Sequence, residues 1–300
     1  MAMKKVLITG INGFTGKYLA CELKSAGYDV HGIVRDKKIL ADNSYTYHAG
    51  DISDTCELLK ILTTVKPAVV IHLAGISFVA HGDANAIFQS NLIGSHNLLQ
   101  ALVESRLTFD SILLASSSNV YGNVVDGILD ELTPTNPANI YAISKLGMEQ
   151  TAKLYHDKLP IIIARPFNYT GVGQAERFLI PKIVAHISEK KPVIELGNLD
   201  VTRDFSDVRS IVQAYRGLIE APHSIGQIVN VCSENGWSLR DVVSVACDVS
   251  GHRLEIQVNP KFVRHNEVKT LLGSRKKLDS LVSIRNNYNL QDTIKWMLDQ

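Results

Sequence analysis

The chain contains 300 residues, of which 45% are hydrophobic and 20% charged, and its formal net charge at pH 7 is +1. This composition is typical of a folded globular protein with a substantial apolar core. The balanced charge argues against a broad nucleic-acid-binding surface, and the sequence lacks the run of about eighteen apolar residues that a membrane-spanning helix requires.

Apolar runs typical of buried strands alternate with helical patterns through the first half of the chain. The runs lie at residues 6–9, 28–34, 44–49, 68–72, 111–115 and 161–164, and the longest helical patterns cover residues 86–104 and 140–159. This alternation predicts an α/β fold in which a doubly wound parallel sheet of the Rossmann type is covered by helices on both faces.

The second half of the chain has shorter elements and more loops, with one further strand-like run at residues 229–232. We therefore expect residues 1–166, together with about 206–232, to form a domain that binds a dinucleotide. Residues from about 167 to 205, together with 233–300, would form a smaller C-terminal substrate-binding lobe. This lobe should close over the carboxyl edge of the sheet, where doubly wound folds bind their ligands.

A glycine-rich loop joins the first predicted strand to the first predicted helix. The spacing Gly10-x-x-Gly13-x-x-Gly16, placed between a strand and a helix, is a dinucleotide fingerprint. Glycines allow a tight turn and a close backbone approach, and the pyrophosphate meets the N–H groups at the start of the helix. We predict that the cofactor is bound here by Gly10, Asn12, Gly13, Phe14, Thr15 and Gly16.

The second predicted strand ends in Val34-Arg35-Asp36, where a dinucleotide-binding fold contacts the adenosine ribose. An arginine at this point accommodates the 2′-phosphate of NADP, whereas an acidic residue binds the ribose 2′-hydroxyl of NAD. Because Arg35 comes first, the sequence favours NADP (NADPH), with NAD as the alternative. Asp36 could equally belong to a solvated charge pair.

Tyr141 and Lys145 are four residues apart in a predicted helix and therefore share one of its faces. A free phenol titrates near ~10, and we expect the nearby ammonium to lower the pKa of Tyr141. Such a pair could move a proton to or from a substrate oxygen. The spacing alone is common in helices, but the upstream Ser117 and the glycine loop favour a catalytic interpretation.

The cysteines and the N-terminus bear on the cellular compartment. Cys21, Cys56, Cys232 and Cys247 are scattered without metal-site spacing, so we expect buried thiols in a reducing environment and no metal site. The lysines after Met1 imitate a signal peptide, but the apolar run that follows is too short for export. We therefore expect a cytoplasmic protein.

These motifs make the chain resemble the extended short-chain dehydrogenase/reductase family over almost its whole length. The further matching segments are Gly50-Asp51-Ile52, His72-Leu73-Ala74-Gly75, Asn91 and Ser116-Ser117-Ser118-Asn119-Val120-Tyr121-Gly122. The resemblance implies that Ser117, Tyr141 and Lys145 are catalytic, the last two also contacting the cofactor. It further implies cofactor contacts at Asp51, Ile52, Leu73, Ala74, Gly75 and Pro166. Asp51 could instead be a helix cap, and Asn91 a structural hydrogen-bonding residue.

The second half is similar to the branch of GDP-mannose dehydratases and GDP-4-keto-6-deoxymannose reductases. The matching segments are Arg165-Pro166-Phe167-Asn168-Tyr169-Thr170-Gly171-Val172-Gly173-Gln174, Gly197-Asn198-Leu199-Asp200 and Val201-Thr202-Arg203-Asp204-Phe205-Ser206-Asp207. The resemblance implies that the substrate is a GDP-linked 4-keto-6-deoxy sugar. Its implied contacts are Ser117, Asn119, Asn168, Lys182, Arg203 and Arg264. The resemblance also implies a homodimer paired through residues 86–104 and 140–159 as a four-helix bundle.

One position separates dehydratases from reductases in this branch. Dehydratases carry a glutamate just after the catalytic Ser or Thr, and here that position holds Asn119, whose amide cannot act as a base. The resemblance therefore implies NADPH-dependent reduction of GDP-4-keto-6-deoxy-D-mannose to GDP-D-rhamnose or to its C4 epimer, GDP-6-deoxy-D-talose. A nucleotide-sugar 4-epimerase that recycles bound NAD is the alternative. A 4,6-dehydratase is disfavoured, as is a cofactor-sensing regulator, which usually lacks the Tyr-Lys pair.

Overall fold

The computed structural model describes residues 3–35, 44–78, 82–123, 127–262, 269–284 and 288–300. Its strands are β1 Lys5–Thr9, β2 Asp29–Val34, β3 Thr46–Ala49, β4 Val69–His72, β5 Ser111–Ala115, β6 Gly127–Leu129, β7 Ile161–Pro166, β8 Asn168–Thr170, β9 Val193–Leu196, β10 Thr202–Asp207, β11 Ile228–Val231, β12 Gly236–Ser238, β13 Glu255–Val258 and β14 Thr270–Gly273. Its α-helices are α1 Phe14–Ser25, α2 Thr55–Val65, α3 Ala84–Phe88, α4 Gly94–Glu104, α5 Ile140–Lys153, α6 Leu179–Ser188, α7 Val208–Glu220, α8 Leu239–Ser250, α9 Lys276–Leu281 and α10 Leu290–Leu298.

The two long predicted helices are present with different bounds. A π-helical segment, Gln89–Ile93, joins α3 to α4, so that one continuous helix runs from residue 84 to 104. The other helix, α5, ends at Lys153 rather than at residue 159.

Seven of the described strands form one parallel sheet in the order β11-β7-β5-β4-β1-β2-β3. The predicted doubly wound parallel sheet is therefore confirmed, and the strand expected near residues 229–232 is β11 at one edge. The chain leaves β1 towards β2 on one side and later adds β4 on the other. The carboxyl ends of β1 and β4 thus flank a topological switch point, where such sheets bind ligands.

Alternating side chains of the central strands pack against helices on opposite faces of the sheet. Val6 and Ile8 belong to the apolar cluster that contains Leu19 of α1 and Tyr215 of α7. Leu7 belongs to the opposite cluster, with residues of α2, α4 and α5 such as Leu98. Burying a large aliphatic side chain contributes about 1.5–3 kcal/mol, so the two clusters stabilise the sheet from both faces.

The later part of the chain builds smaller sheets and a third apolar cluster. Strands β12, β10, β14 and β6 pair in that order, β8 pairs with β10, and β13 pairs with β9. Helices α6, α8 and α10 pack together around Ile183, Val242 and Ile294. This arrangement places the loop between β8 and α6 opposite the carboxyl edge of the large sheet.

Two further observations concern the surface. Cys21 and Cys56 are exposed, so the expectation of buried thiols is wrong for these two, which lie on the outer faces of α1 and α2. In the part of the chain that the structure describes, no helix is both long and apolar enough to cross a membrane.

Candidate active site

The glycine loop passes from β1 into α1 with little room for side chains. Gly10 has φ +75°, and a Cβ there would lie 2.7 Å from the backbone nitrogen of Ala74. A Cβ on Gly16 would collide with the carbonyl oxygen of Gly10. Gly13 is the N-cap of α1 and supplies no side-chain cap, and the first turn has no acidic residue. The loop therefore fits a dinucleotide, since the first N–H groups of α1 can meet its pyrophosphate.

Ser117, Tyr141 and Lys145 meet beyond the carboxyl end of β5. The side chain of Asn139 caps α5 by accepting from the Ala142 N–H at 2.8 Å, which places Tyr141 in the first turn. The Oγ of Ser117 accepts from the backbone and side-chain nitrogens of Asn119 at 3.2 and 3.0 Å. Ser117 also hydrogen-bonds to Tyr141. The three predicted catalytic residues are thus brought together.

Burial controls the protonation of this cluster. It raises the pKa of Tyr141 to about 12, although the hydrogen bond with Ser117 opposes the rise. The expectation that Lys145 lowers the pKa of Tyr141 is therefore wrong. In the structure the Lys145 ammonium instead donates to the Ala115 carbonyl oxygen at 2.8 Å. Burial lowers the pKa of Lys145 to about 8, and the charge of Glu149 opposes that shift. At neutral pH the phenol keeps its proton.

A buried ion pair lies beneath the cluster. Glu149, one helical turn after Lys145, is 0% exposed and accepts two bonds from Arg165 of β7, at 2.6 and 2.9 Å. The hydroxyl of Ser116, next to Ser117, donates to the same carboxylate. The pair therefore ties α5, which carries Tyr141 and Lys145, to β7 and to the end of β5, beyond which Ser117 lies.

The ion pair continues into a buried polar network. Arg165 donates to the Tyr121 hydroxyl at 3.0 Å and lies over the Tyr121 ring at 4.9 Å. Tyr121 in turn donates to the Asn230 side chain at 2.7 Å, and the Asn230 backbone donates to Glu131 at 2.7 Å. The segment after Ser117 is thereby anchored to β11.

Asn91 and His72 are fully buried structural residues. The Asn91 side chain accepts from the Ile76 N–H at 2.8 Å and donates to the Ile76 carbonyl and the Ser144 hydroxyl, each at 3.0 Å. His72 bonds to the Thr9 and Ser95 hydroxyls, and burial lowers its pKa to about 3. Both side chains support the loop after β4, and the hydrogen bonds of Asn91 are those of the structural interpretation.

The cluster opens into a cavity of about 670 Å³ at the switch point. Among the described residues its lining contains no Asp or Glu, and its Lys and Arg side chains are Lys145 and Arg177. The predicted residues that line it are Gly10, Gly13, Phe14, Thr15, Gly16, Leu73, Gly75, Ser117, Asn119, Tyr141, Lys145, Pro166 and Asn168.

Other predicted cofactor residues lie outside this lining. Arg35 follows β2 and is exposed. The pKa of Asp51 is lowered mainly by the hydrogen bond from the Ser53 N–H, and the charge of Arg35 adds a smaller effect in the same direction. The helix-cap alternative for Asp51 is wrong, because α2 is capped by the side chain of Asp54. Asn12, Ile52 and Ala74 are also outside the lining.

Some of the predicted substrate contacts line the cavity and others do not. Asn168 lines the cavity and donates to the Asp204 carbonyl at 3.2 Å. Lys182 and Arg203 are not in the lining: Lys182 donates to the Glu195 carbonyl at 2.7 Å, and Arg203 to the Thr202 carbonyl at 2.9 Å. Arg264 lies outside the described residues.

Sequence reasoning missed several cavity residues. Tyr169 follows Asn168 in its motif, stacks on Phe14 with ring centroids 6.1 Å apart, and hydrogen-bonds to Thr15 at 2.8 Å. Tyr169 stands in the matched segment 165–174, so its place at the cavity could have been predicted from the sequence. Phe78 and Arg177 stand in no recognisable pattern, and only the folded structure brings them to the cavity.

A glycine loop at the switch point, with Ser, Tyr and Lys at the same edge, defines a dinucleotide-dependent oxidoreductase of the short-chain type. A family model described as GDP-mannose 4,6 dehydratase matches residues 7–297, and the chain belongs to this family of extended short-chain dehydrogenases/reductases.

Named relatives include enzymes of nucleotide-sugar metabolism. GDP-6-deoxy-D-talose 4-dehydrogenase from Aggregatibacter actinomycetemcomitans is 32% identical over 91% of this chain and 90% of its own. GDP-6-deoxy-D-mannose reductase from Pseudomonas aeruginosa is 31% identical over 98% of this chain and 96% of its own.

Solved structures with the same fold include two informative neighbours. A protein from Burkholderia cenocepacia, provisionally called an epimerase, is 44% identical with a TM-score of 0.91, covering 99% of this chain and 97% of its own. RMD from Pseudomonas aeruginosa, solved with NADPH, is 28% identical with a TM-score of 0.85, covering 99% and 98%.

Breaking the buried ion pair should be costly. Glu149→Leu leaves the Arg165 charge buried without its partner, which typically costs about 3–5 kcal/mol of unfolding free energy. The double variant with Arg165→Met should recover part of that loss, because both charges are gone. Urea unfolding measures each value. Lys4→Met is the control, since its pair with Asp110 is half exposed and contributes about 0–1 kcal/mol. Equal losses in Glu149→Leu and Lys4→Met would contradict this account.

Proposed function

We propose that the protein catalyses NADPH-dependent reduction of the 4-keto group of GDP-4-keto-6-deoxy-D-mannose. The product is GDP-D-rhamnose or its C4 epimer, GDP-6-deoxy-D-talose. The observation that carries the proposal is the phenol of Tyr141 beside Ser117, in a cavity whose described lining holds no carboxylate. Ketone reduction needs a proton donor, whereas water loss needs a base. The names of the two relatives support this substrate class.

Each catalytic residue has a distinct role in this reaction. NADPH, when bound, supplies the hydride. Tyr141 donates its phenolic proton to the oxygen of C4 as negative charge develops there. Both acceptor positions of the Ser117 hydroxyl are used by Asn119, so its single O–H donates to Tyr141 in the structure and would turn to the oxygen of C4 when the ketone binds beside the phenol. That bond positions the ketone and stabilises the developing charge.

Lys145 keeps a positive charge close to the reaction. Because the charge of Glu149 opposes the effect of burial, the ammonium remains mainly protonated near pH 7. We assign it to the nicotinamide ribose and to stabilisation of Tyr141 after proton transfer. For the sugar, the proposal retains Asn119 and Asn168, both of which line the cavity.

The cofactor assignment favours NADP. Arg35 is exposed beside Asp51 at the end of β2, which suits a 2′-phosphate, and the RMD structure contains NADPH. NAD is the alternative, since other structural neighbours bind it. In this proposal residues 1–166 and about 206–232 bind the cofactor, and the remaining segments bind the nucleotide sugar.

A 4-epimerase is the second candidate, supported by the 44% identity to the Burkholderia cenocepacia protein. An epimerase oxidises and re-reduces C4 with the same bound cofactor. It would therefore purify with tightly bound NAD and interconvert C4 epimers without added NADPH. A reductase requires one NADPH for each turnover.

A substrate panel tests the proposal directly. GDP-4-keto-6-deoxy-D-mannose should consume NADPH, followed by its absorbance loss, and NMR should identify the C4 configuration of the product. GDP-mannose with NADP should give no 4-keto-6-deoxy product, because Asn119 cannot act as the dehydratase base. Substantial water loss from GDP-mannose would overturn the assignment as a dedicated reductase.

Tyr141→Phe should fold and bind NADPH but lose most of its turnover. General acid catalysis contributes about 10²–10⁴-fold, so kcat should fall within that range. Tyr155→Phe is the matched control, because its hydroxyl bonds to His96 away from the cavity. Near-normal kcat in Tyr141→Phe would refute the proton-donor role.

Arg35→Ala should weaken NADPH binding much more than NADH binding, because only NADPH carries the 2′-phosphate. A charged hydrogen bond contributes about 1.5–3 kcal/mol, or roughly tenfold to a hundredfold in affinity. Fluorescence titration with both cofactors measures this difference. Equal losses would mean that Arg35 only supports its loop.

We also propose a homodimer paired through the helix at residues 84–104 and through α5. Exposed Ile93, Ile140 and Ile143 on these helices support such a contact, since apolar side chains are otherwise left in water. Light scattering should give twice the chain mass of 33.0 kDa. A mass of one chain at every concentration would exclude the dimer.

A further inference from the structure

Arg177 is a cation of the cavity that the mechanism above does not use. Lys145, the other Lys or Arg in the described lining, is buried and bonded to the Ala115 carbonyl. Arg177 is exposed, and it makes no salt bridge or hydrogen bond with any residue in the described ranges. Its guanidinium is therefore available to a ligand.

Two phenylalanine rings hold this guanidinium in place. It lies 4.9 Å from the ring centre of Phe78 and 5.6 Å from that of Phe178, and the two rings meet edge to face at 5.8 Å. Phe78 lies in the loop after β4, and Phe178 immediately precedes α6. Stacking positions an arginine without using its N–H donors, so all of these remain for hydrogen bonds to a ligand.

We propose that Arg177 binds the diphosphate of the nucleotide-sugar substrate, an inference that rests on the proposed function. A diphosphate that enters a partly apolar cavity needs a positive partner to offset its lost hydration. The N-terminus of α1 is assigned to the pyrophosphate of the cofactor and is not available for a second one. The planar fork of an arginine can bond two phosphate oxygens at once.

The cations predicted from the sequence are less suited to this role. The ammonium of Lys182 donates to the Glu195 carbonyl and lies 4.7 Å from the centre of the Phe262 ring. Arg203 donates to the Thr202 and Lys269 carbonyls. Neither side chain is in the cavity lining. Arg177 is in the lining, so it can meet the diphosphate without breaking a hydrogen bond.

Calorimetric binding of GDP, UDP, guanosine and NADPH to the whole protein tests this role. Arg177→Met should weaken the better-bound nucleoside diphosphate about tenfold to a hundredfold while leaving guanosine and NADPH unchanged. Arg177→Lys should lose less, because it keeps the charge but not the fork. Arg240→Met is the matched control, since its pair with Asp200 is exposed outside the lining. Added salt should weaken the wild type more than Arg177→Met.

Three results of these binding measurements would overturn the inference. These are unchanged diphosphate binding in Arg177→Met, equal losses for the diphosphate, guanosine and NADPH, and failure of the wild type to bind either diphosphate. Measuring turnover of the GDP-4-keto sugar distinguishes a failure of this inference from a failure of the proposed function. If diphosphate binding falls as expected but the wild type reduces no GDP-4-keto sugar, the diphosphate site stands and the reductase assignment fails. If the wild type reduces the sugar and Arg177→Met keeps the same KM, only the role of Arg177 fails.

Discussion

The buried pair of Glu149 and Arg165 is the interaction on which the arrangement of the site depends. It joins α5, which carries Tyr141 and Lys145, to β7 and to Ser116, the neighbour of Ser117. Removing two charges from water costs several kcal/mol for each ion, and their attraction offsets this only with good geometry and further hydrogen bonds. Here the bidentate contact and the Tyr121 hydroxyl supply them. The pair therefore fixes how separate elements meet, which matters more for the site than any net gain in stability.

Burial also sets the charges of Tyr141 and Lys145. Low polarity favours the neutral form of an acid and of a base alike, so it raises the pKa of Tyr141 and lowers that of Lys145. The charge of Glu149 opposes the lowering of the Lys145 pKa, but it does not contribute to the rise of the Tyr141 pKa. The cluster thus combines a proton held on a phenol with a charge retained on an amine. This combination suits the delivery of a proton to an oxygen that is gaining electrons.

Features within one element or one turn could be predicted from the sequence, and features that depend on distant segments could not. The glycine loop follows a strand directly, and the spacing of Tyr141 and Lys145 is a property of a single helix, so both were found. The direction of the Tyr141 pKa shift was missed, because it depends on burial by several elements. Arg177 was missed because the path of its loop across the cavity has no local signature. Lys182 was predicted as a nucleotide contact, although β9 supplies the carbonyl that occupies its ammonium.

The π-helical segment Gln89–Ile93 changes which face of the helix at residues 84–104 is turned towards its neighbours. It adds one residue to a turn, so the residues after it are rotated by about 100° relative to an uninterrupted α-helix. Within the segment, Asn91 bonds to Ile76 and Ser144; after it, Leu98 and Leu102 join the apolar cluster on one face of the sheet. Losing a single residue here would restore regular helical geometry but would turn one of these faces away from its partner. The packing of this helix therefore depends on its length as well as on its side chains.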